Sequence, residues 1–224
     1  MIPWKQLGSA LTPEDGNPVG LFCRGSEFSI RVSGQELMNS RMSGSEKQLA
    51  KLACEALGPN LNPRVLIGGL GMGFTLAAAL EALSPGAEVV VAELLPELVL
   101  WNRDHLSHLA GSPLDDDRVA VEVGDVVQLL VRPARTFDAV ILDVDNGPGA
   151  LTQEGNAWIY TTQGLRAIRK CLAPKGVLGV WSAIDSPPFT RRLKECGFYP
   201  EVHRVRARET GKGARHTLWI ATRR

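Results

Sequence analysis

The stretch Val65-Leu66-Ile67-Gly68-Gly69-Leu70-Gly71-Met72-Gly73-Phe74-Thr75 decides how this chain is read. An apolar run, Val65 to Ile67, stops in four glycines within six residues, and a helix-like segment, Phe74 to Leu83, follows at once. Strand, tight glycine turn and helix form the start of a nucleotide-binding crossover. Without a Cβ, glycine reaches positive φ and lets backbone amides approach a ligand. The helix starting near Gly73 points its positive end into the same space. Taken alone, the motif also fits a glycine turn that only packs.

Two acids strengthen the nucleotide reading. Glu93 ends the next apolar run, Val89-Val90-Val91-Ala92, and an acid about 20 residues past the glycines can accept hydrogen bonds from ribose hydroxyls. Asp125 ends a third run, Val119 to Gly124, where it could reach an adenine amino group. Three consecutive strand tips presenting glycine or acid predict a cofactor crevice at the carboxyl edge of a parallel sheet, with Gly68, Gly69, Leu70, Gly71, Gly73, Glu93, Leu94, Asp125 and Val126 around it.

From Pro63 onward the pattern predicts strands 65–68, 88–93, 119–123, 137–143 and 176–182, alternating with helices 73–83, 96–109, 126–131, 158–172 and 187–196. Several strands are unbroken apolar runs, as expected of a parallel sheet covered on both faces. The ending differs: Val202–Arg208 and His216–Thr222 have only Thr210-Gly211-Lys212-Gly213 as a turn between them, which predicts an antiparallel hairpin. The fold class that follows is α/β, a methyltransferase-type Rossmann fold with a mostly parallel seven-stranded sheet ending in that hairpin. Ahead of it, residues 1–18 read as irregular. Three short strands (21–23, 28–32, 36–38) form a small meander, and a helix from about Glu46 to Leu57 is capped by Ser43 or Ser45. The expected division is residues 1–62, a β-rich extension, and 63–224, the Rossmann-like domain. The meander's exposed edges offer a surface over which two subunits could pair as a homodimer.

Composition limits the partners. With 224 residues, 44% of them hydrophobic, and a net charge of +1, no global charge draws the chain to nucleic acid or an anionic membrane. The basic residues clustered after Arg204 read as a solvated surface. The four cysteines form no CxxC pair, so no metal site is expected; Cys54 and Cys171 read as buried thiols. No apolar run reaches the roughly 18 residues that a spanning helix needs, and no leader pattern is evident, so a cytoplasmic protein is expected.

Asp143-Val144-Asp145-Asn146-Gly147-Pro148 closes the fourth strand at the cofactor edge. Asp143 and Asp145 there could take a proton from an amine or hold a cation, with Asn146 beside them; equally, Asp and Asn favour such loops for their own backbone bonds. Downstream, Glu154, Trp158 and Tyr160 could fold over the site as a lid, or serve the core. Trp181 and Ser182 could form another wall. His105, His108, His203 and His216 read as structural or surface histidines.

The glycine turn, Ala92-Glu93-Leu94, Asp117-Arg118-Val119 leading to Gly124-Asp125, and the Asp143 loop together resemble the polyamine aminopropyltransferase (spermidine synthase) family over roughly Gly34 to Trp181. The resemblance implies that the glycines lie along the methionine part of S-adenosylmethionine or its decarboxylated form. Glu93 would hold the ribose, Asp125 the adenine, and Asp143 would orient and deprotonate an attacking amine. The sequence also departs from the family. Its Asp-Ser/Thr-x-Asp-Pro loop is altered here. Its Tyr-His-Glu before the N-terminal helix is reduced to Glu46 within Ser43-Gly44-Ser45-Glu46, and Leu37 or Met38 replaces a Gln. Cofactor features persist while the amine pocket is remodelled, with Glu46, Asn146, Trp158 and Tyr160 as its candidate contacts. The leading expectation is therefore a transferase that moves the methyl group of S-adenosylmethionine to a small, basic acceptor. Arg41 or the loop amides would accommodate the cofactor carboxylate. Aminopropyl transfer from the decarboxylated cofactor, and a non-catalytic nucleoside-binding protein, stay open as alternatives.

Overall fold

The computed structural model describes residues 2–13, 15–132, 136–144, 147–149 and 155–224. A four-stranded antiparallel sheet comes first: β1 (Lys5–Leu11), β2 (Pro18–Arg24), β3 (Glu27–Val32) and β4 (Gln35–Asn39), in sequential order. Helix α1 (Gly44–Leu57) follows. Then come β5 (Arg64–Gly68), α2 (Phe74–Ala82), β6 (Glu88–Glu93), α3 (Pro96–Trp101), β7 (Val119–Val123), α4 (Val126–Val131), β8 (Phe137–Leu142), α5 (Thr162–Cys171), β9 (Leu172–Ser182), α6 (Pro187–Glu195), β10 (Phe198–Arg206) and β11 (Arg215–Arg223). The large sheet runs β10-β11-β9-β8-β5-β6-β7, with β5 to β9 parallel and β11 antiparallel to both β9 and β10. This is the expected α/β architecture with its terminal hairpin.

Side-chain alternation along the strands divides the core. Val65, Ile67, Val89, Val91, Ala139, Ile141 and Val177 point to one face, where α1 lays Leu49, Ala50 and Ala53 and α2 lays Leu76, Ala79 and Leu80. Leu66, Val90, Val140, Leu142, Leu178 and Val180 point to the other, beneath α4, α5 and α6. Each fully buried side chain of this size contributes about 1.5–3 kcal/mol of transfer free energy. The β5–β6 and β5–β8 registers bring Gly68, Ala92 and Leu142 to one level, so three strand tips open at the same edge.

Four local expectations are corrected. Residues 5–11, read as irregular, form β1. The sparse alternation of this segment hides it, because the strand is held mainly by backbone pairing to the edge of β2, with Leu7 and Ala10 against the core. The helix expected over 96–109 is α-helical only to Trp101; Asn102–Leu106 widen into a π-turn and Ser107–Leu109 tighten to 3-10. The widened turn carries Asn102 inward, where its Nδ2 donates to Leu98 O (2.9 Å) and to Gly71 O (2.8 Å) of the glycine loop. The helix expected from 158 starts at Thr162, because Thr161 Oγ1 caps it by accepting from Gly164 N–H (3.2 Å). Finally, Ser43 occupies the cap position of α1 with no side-chain cap bond, and Ser45 is drawn elsewhere.

Gly73 caps α2 in the left-handed region, φ 83°, and a Cβ there would lie 3.2 Å from Asn102 Oδ1 and from Pro113 Cγ. Gly73→Ala is expected to lower the unfolding free energy by about 1–2 kcal/mol, the usual cost of that conformation for an L-residue. Urea titration of the two proteins side by side reads it, and an unchanged midpoint refutes it.

Candidate active site

The site grows from the three strand tips. Gly69 follows β5 with φ 90°, and a Cβ on it would sit 2.4 Å from Asp143 O. Only glycine allows the β5 tip to lie against the β8 tip in this way, which is what brings the glycine loop and Asp143 together. Asp143 N–H donates to Gly68 O (2.9 Å), locking the approach. Glu93, at the end of β6, is buried, and its two oxygens accept from Leu70 N–H and Leu95 N–H, both at 2.9 Å. Burial raises its pKa, with the amides of Leu95 and Leu70 pulling the other way. Asp125 caps α4 by accepting from Val127 N–H (2.8 Å).

These tips line a cavity of about 450 Å³, where Gly69, Gly71, Glu93, Leu94, Asp125, Val126 and Asp143 face Val19, Ile30, Val32, Leu37 and Met38 of the small sheet. A second cavity of about 230 Å³ adjoins it, lined by Ser45, Glu46, Leu70, Thr75, Trp181 and His216, among others. Asp143, Val144, Gly71, Leu37 and Met38 line both, so Asp143 stands at the junction. Thr75 Oγ1–H donates to Asp143 Oδ2 (2.5 Å). Burial nevertheless pushes the Asp143 carboxyl up to about 6, outweighing the Thr75 hydrogen bond. Glu46 is raised well above the usual carboxylate range, first by burial and then by the charge of Asp143; its Oε2 is sealed from solvent with no hydrogen-bond partner. Two carboxyls that repel each other in a shared cavity form an arrangement able to hold a cation or receive a proton.

Most of the residues read from sequence meet here. Gly68 and Gly73 shape the turn without lining either cavity. Trp158 and Tyr160 do not reach either cavity: Tyr160 is buried edge-on to Phe189 (5.6 Å), and Trp158 packs on the core beneath α4, α5 and α6. Asp145, Asn146 and Glu154 lie outside the described residues. Thr75 and Asn102 drew no reading of their own, and Ser45 and His216, read as a helix cap and a structural histidine, line the smaller cavity. His216 was legible in principle, because it shares strand parity with Leu218 and Ile220, which face α1. Cys54 and Cys171 are buried free thiols. Among the described residues no cluster could hold a metal ion, and no helix is long and apolar enough to cross a membrane.

Residues 53–191 match the spermine/spermidine synthase domain family model. Polyamine aminopropyltransferase 2 of Pseudomonas aeruginosa is 33% identical over 154 residues, 64% of this chain and 41% of that protein. Its namesake from Hyperthermus butylicus is 29% identical over 134 residues, 58% of this chain and 41% of that protein. The chain thus spans about two fifths of the curated relatives it matches. Spermidine synthase from Thermotoga maritima superimposes with a TM-score of 0.76 at 18% identity, over 98% of this chain and 73% of that one, a likeness of fold.

The expectation of methyl transfer is overturned by these relatives, both of which are named as aminopropyltransferases. The cavity chemistry agrees. Of the two groups expected to meet the carboxylate of S-adenosylmethionine, the cation is not in place: among the described residues no Lys or Arg lines either cavity. Arg41, named beside the loop amides for that role, is paired with Glu27 at 3.1 Å.

Proposed function

We infer the function from one premise: the chain belongs to the spermine/spermidine synthase domain family. On it we propose that this protein is an aminopropyltransferase, taking the aminopropyl group of decarboxylated S-adenosylmethionine to a small amine. The observation that carries the reading is Asp143 shared by two adjoining cavities, one with the acids of an adenosyl site and the other acidic and, among the described residues, without Lys or Arg.

The larger cavity is the adenosyl site. Glu93 holds the ribose hydroxyls, Asp125 and Val126 meet the adenine, and Gly69, Leu70 and Gly71 border the sulfonium arm. The smaller cavity is the acceptor site, with Glu46 opposite Asp143. The attacking nitrogen forms a bond to the aminopropyl carbon next to sulfur, the C–S bond breaks, and the electron pair goes to sulfur, which leaves as the thioether of methylthioadenosine. The proton shed by the nitrogen goes to Asp143. The sulfonium is already activated, so the protein contributes mainly alignment and the base. The direct test is incubation with decarboxylated S-adenosylmethionine and a panel of amines, with chromatographic detection of methylthioadenosine. Its absence with every amine removes the reading.

In this reading the N-terminal sheet is an accessory layer that covers the adenosyl cavity, and the open edge of β1 is where two copies pair. Val19, Ile30, Val32, Leu37 and Met38 supply that cover, and Gly8 of β1 lies against the Trp101 ring. Removal of residues 1–40 is expected to weaken methylthioadenosine binding at least tenfold by calorimetry, since burial of a few apolar groups is worth more than the roughly 1.4 kcal/mol that tenfold represents. Unchanged affinity and an unchanged sedimentation coefficient per chain exclude the role.

A further inference from the structure

The acceptor cavity contains a group whose hydrogen-bonding sense can be worked out. Ser45 lies in the first turn of α1, fully buried. Trp181 Nε1–H donates to Ser45 Oγ at 3.1 Å, and His216 Nδ1 lies 2.8 Å from the same oxygen. An indole nitrogen can only donate, so Ser45 Oγ is the acceptor in that bond. The hydroxyl proton then has one partner among the described residues, Nδ1, and goes to it. The imidazole therefore carries its hydrogen on Nε2. Burial lowers the pKa of His216, which keeps the ring neutral. Trp181 packs edge-on against the ring, centroids 4.7 Å apart, so α1, β9 and β11 jointly fix its orientation. Nε2–H has no hydrogen-bond partner among the described residues, and the imidazole lines the cavity with Glu46, Thr75 and Asp143.

We propose that His216 selects the acceptor: the cavity takes an amine whose far end bears a neutral oxygen, a hydroxyl or a carboxamide, which accepts a hydrogen bond from His216 Nε2. The inference rests on the aminopropyl reading above and narrows its substrate class. Charge and hydrogen bonding in the cavity favour this class over its neighbours. Burial raises both Glu46 and Asp143, and the charge of Asp143 raises Glu46 further, so among the described residues this pair resists carrying two negative charges at once. That matches one ammonium group. A second ammonium beside His216 would meet an N–H donor where it needs an acceptor, and a carboxylate would meet the acidic pair. A neutral oxygen satisfies the otherwise unpaired donor.

The test uses the full chain, decarboxylated S-adenosylmethionine and three acceptors of equal length, diaminobutane, aminobutanol and aminobutanamide, each with its groups at the chain ends. Release of methylthioadenosine gives kcat and KM for the unsubstituted protein, His216→Leu and His216→Gln. The unsubstituted protein is expected to favour an oxygen-bearing acceptor over the diamine by about tenfold in kcat/KM, the effect of one neutral hydrogen bond. His216→Leu should lose that ratio mainly through a higher KM for the oxygen-bearing amine. His216→Gln, whose amide places a donor near the position of Nε2, should retain most of it. Preference for the diamine, or an unchanged ratio in His216→Leu, overturns the inference while leaving aminopropyl transfer standing. Transfer only to some other amine does the same. No methylthioadenosine from any amine overturns the aminopropyl reading itself.

Discussion

Asp143→Asn is expected to lower turnover by about 10²–10⁴-fold, the usual contribution of a positioned acid–base group. The shape is kept: the Asn carbonyl can still accept from Thr75 Oγ1–H, and Glu93, Asp125 and the glycine turn are untouched. Affinity for methylthioadenosine should therefore survive, which separates loss of the base from loss of the site. Burial holds the Asp143 carboxyl at about 6, so kcat/KM should rise with pH through about 6 as the base ionises, and the variant should lack that limb. Stability supplies an independent readout. A carboxyl whose folded pKa lies above its unfolded value favours the folded state only while protonated. The native protein should thus lose stability between about pH 4 and about pH 6, by up to about 3 kcal/mol for a shift of this size. Asp143→Asn should be the more stable protein above pH 6 and lose that advantage below pH 4. Full activity in the variant, or parallel stability curves across this range, refutes the assignment.

Glu93→Ala is expected to weaken methylthioadenosine binding at least tenfold, because hydrogen bonds to a charged acceptor are each worth about 1.5–3 kcal/mol. The structure adds a second consequence. The Glu93 carboxylate holds the amides of Leu70 and Leu95, so its removal leaves two donors unpaired at the glycine loop, at about 1–3 kcal/mol each. The variant should melt earlier and bind worse. Glu93→Gln, which keeps one acceptor oxygen, should recover part of the stability. Calorimetry with methylthioadenosine and thermal denaturation separate the two effects; native-like affinity in folded Glu93→Ala rules out the ribose role.

Much of this architecture lies in short-range pattern. Unbroken apolar runs separated by helical segments specify a covered parallel sheet, because each strand must bury both faces. The turn at Thr210-Gly211-Lys212-Gly213, with no helix between its flanking runs, specifies the reversed final strand. Gly69, Glu93, Asp125 and Asp143 were legible as a group because strand ends of a parallel sheet share one edge. The weak segments were those stabilised from outside. β1 carries little alternation of its own, and the turn after Trp101 departs from an α-helix at Asn102, whose amide bonds reach the Gly71 carbonyl, a partner far off in sequence.

What the sequence by itself determined, then, is the layer order and the sheet edge at which Gly69, Glu93, Asp125 and Asp143 meet, since these follow from periodicity and chain direction. The smaller cavity was decided only in three dimensions. Ser45 and His216 stand 171 residues apart, and Thr75 and Asp143 stand 68 apart, yet each pair shares a hydrogen bond. No local pattern encodes which long-range partners a buried hydroxyl or carboxyl will meet. The same holds for charge: Glu46 and Asp143 are ordinary acids in the sequence, and only their shared burial raises both above the usual carboxylate range. Burial and mutual repulsion are properties of the packed chain, and no sequence pattern carries them.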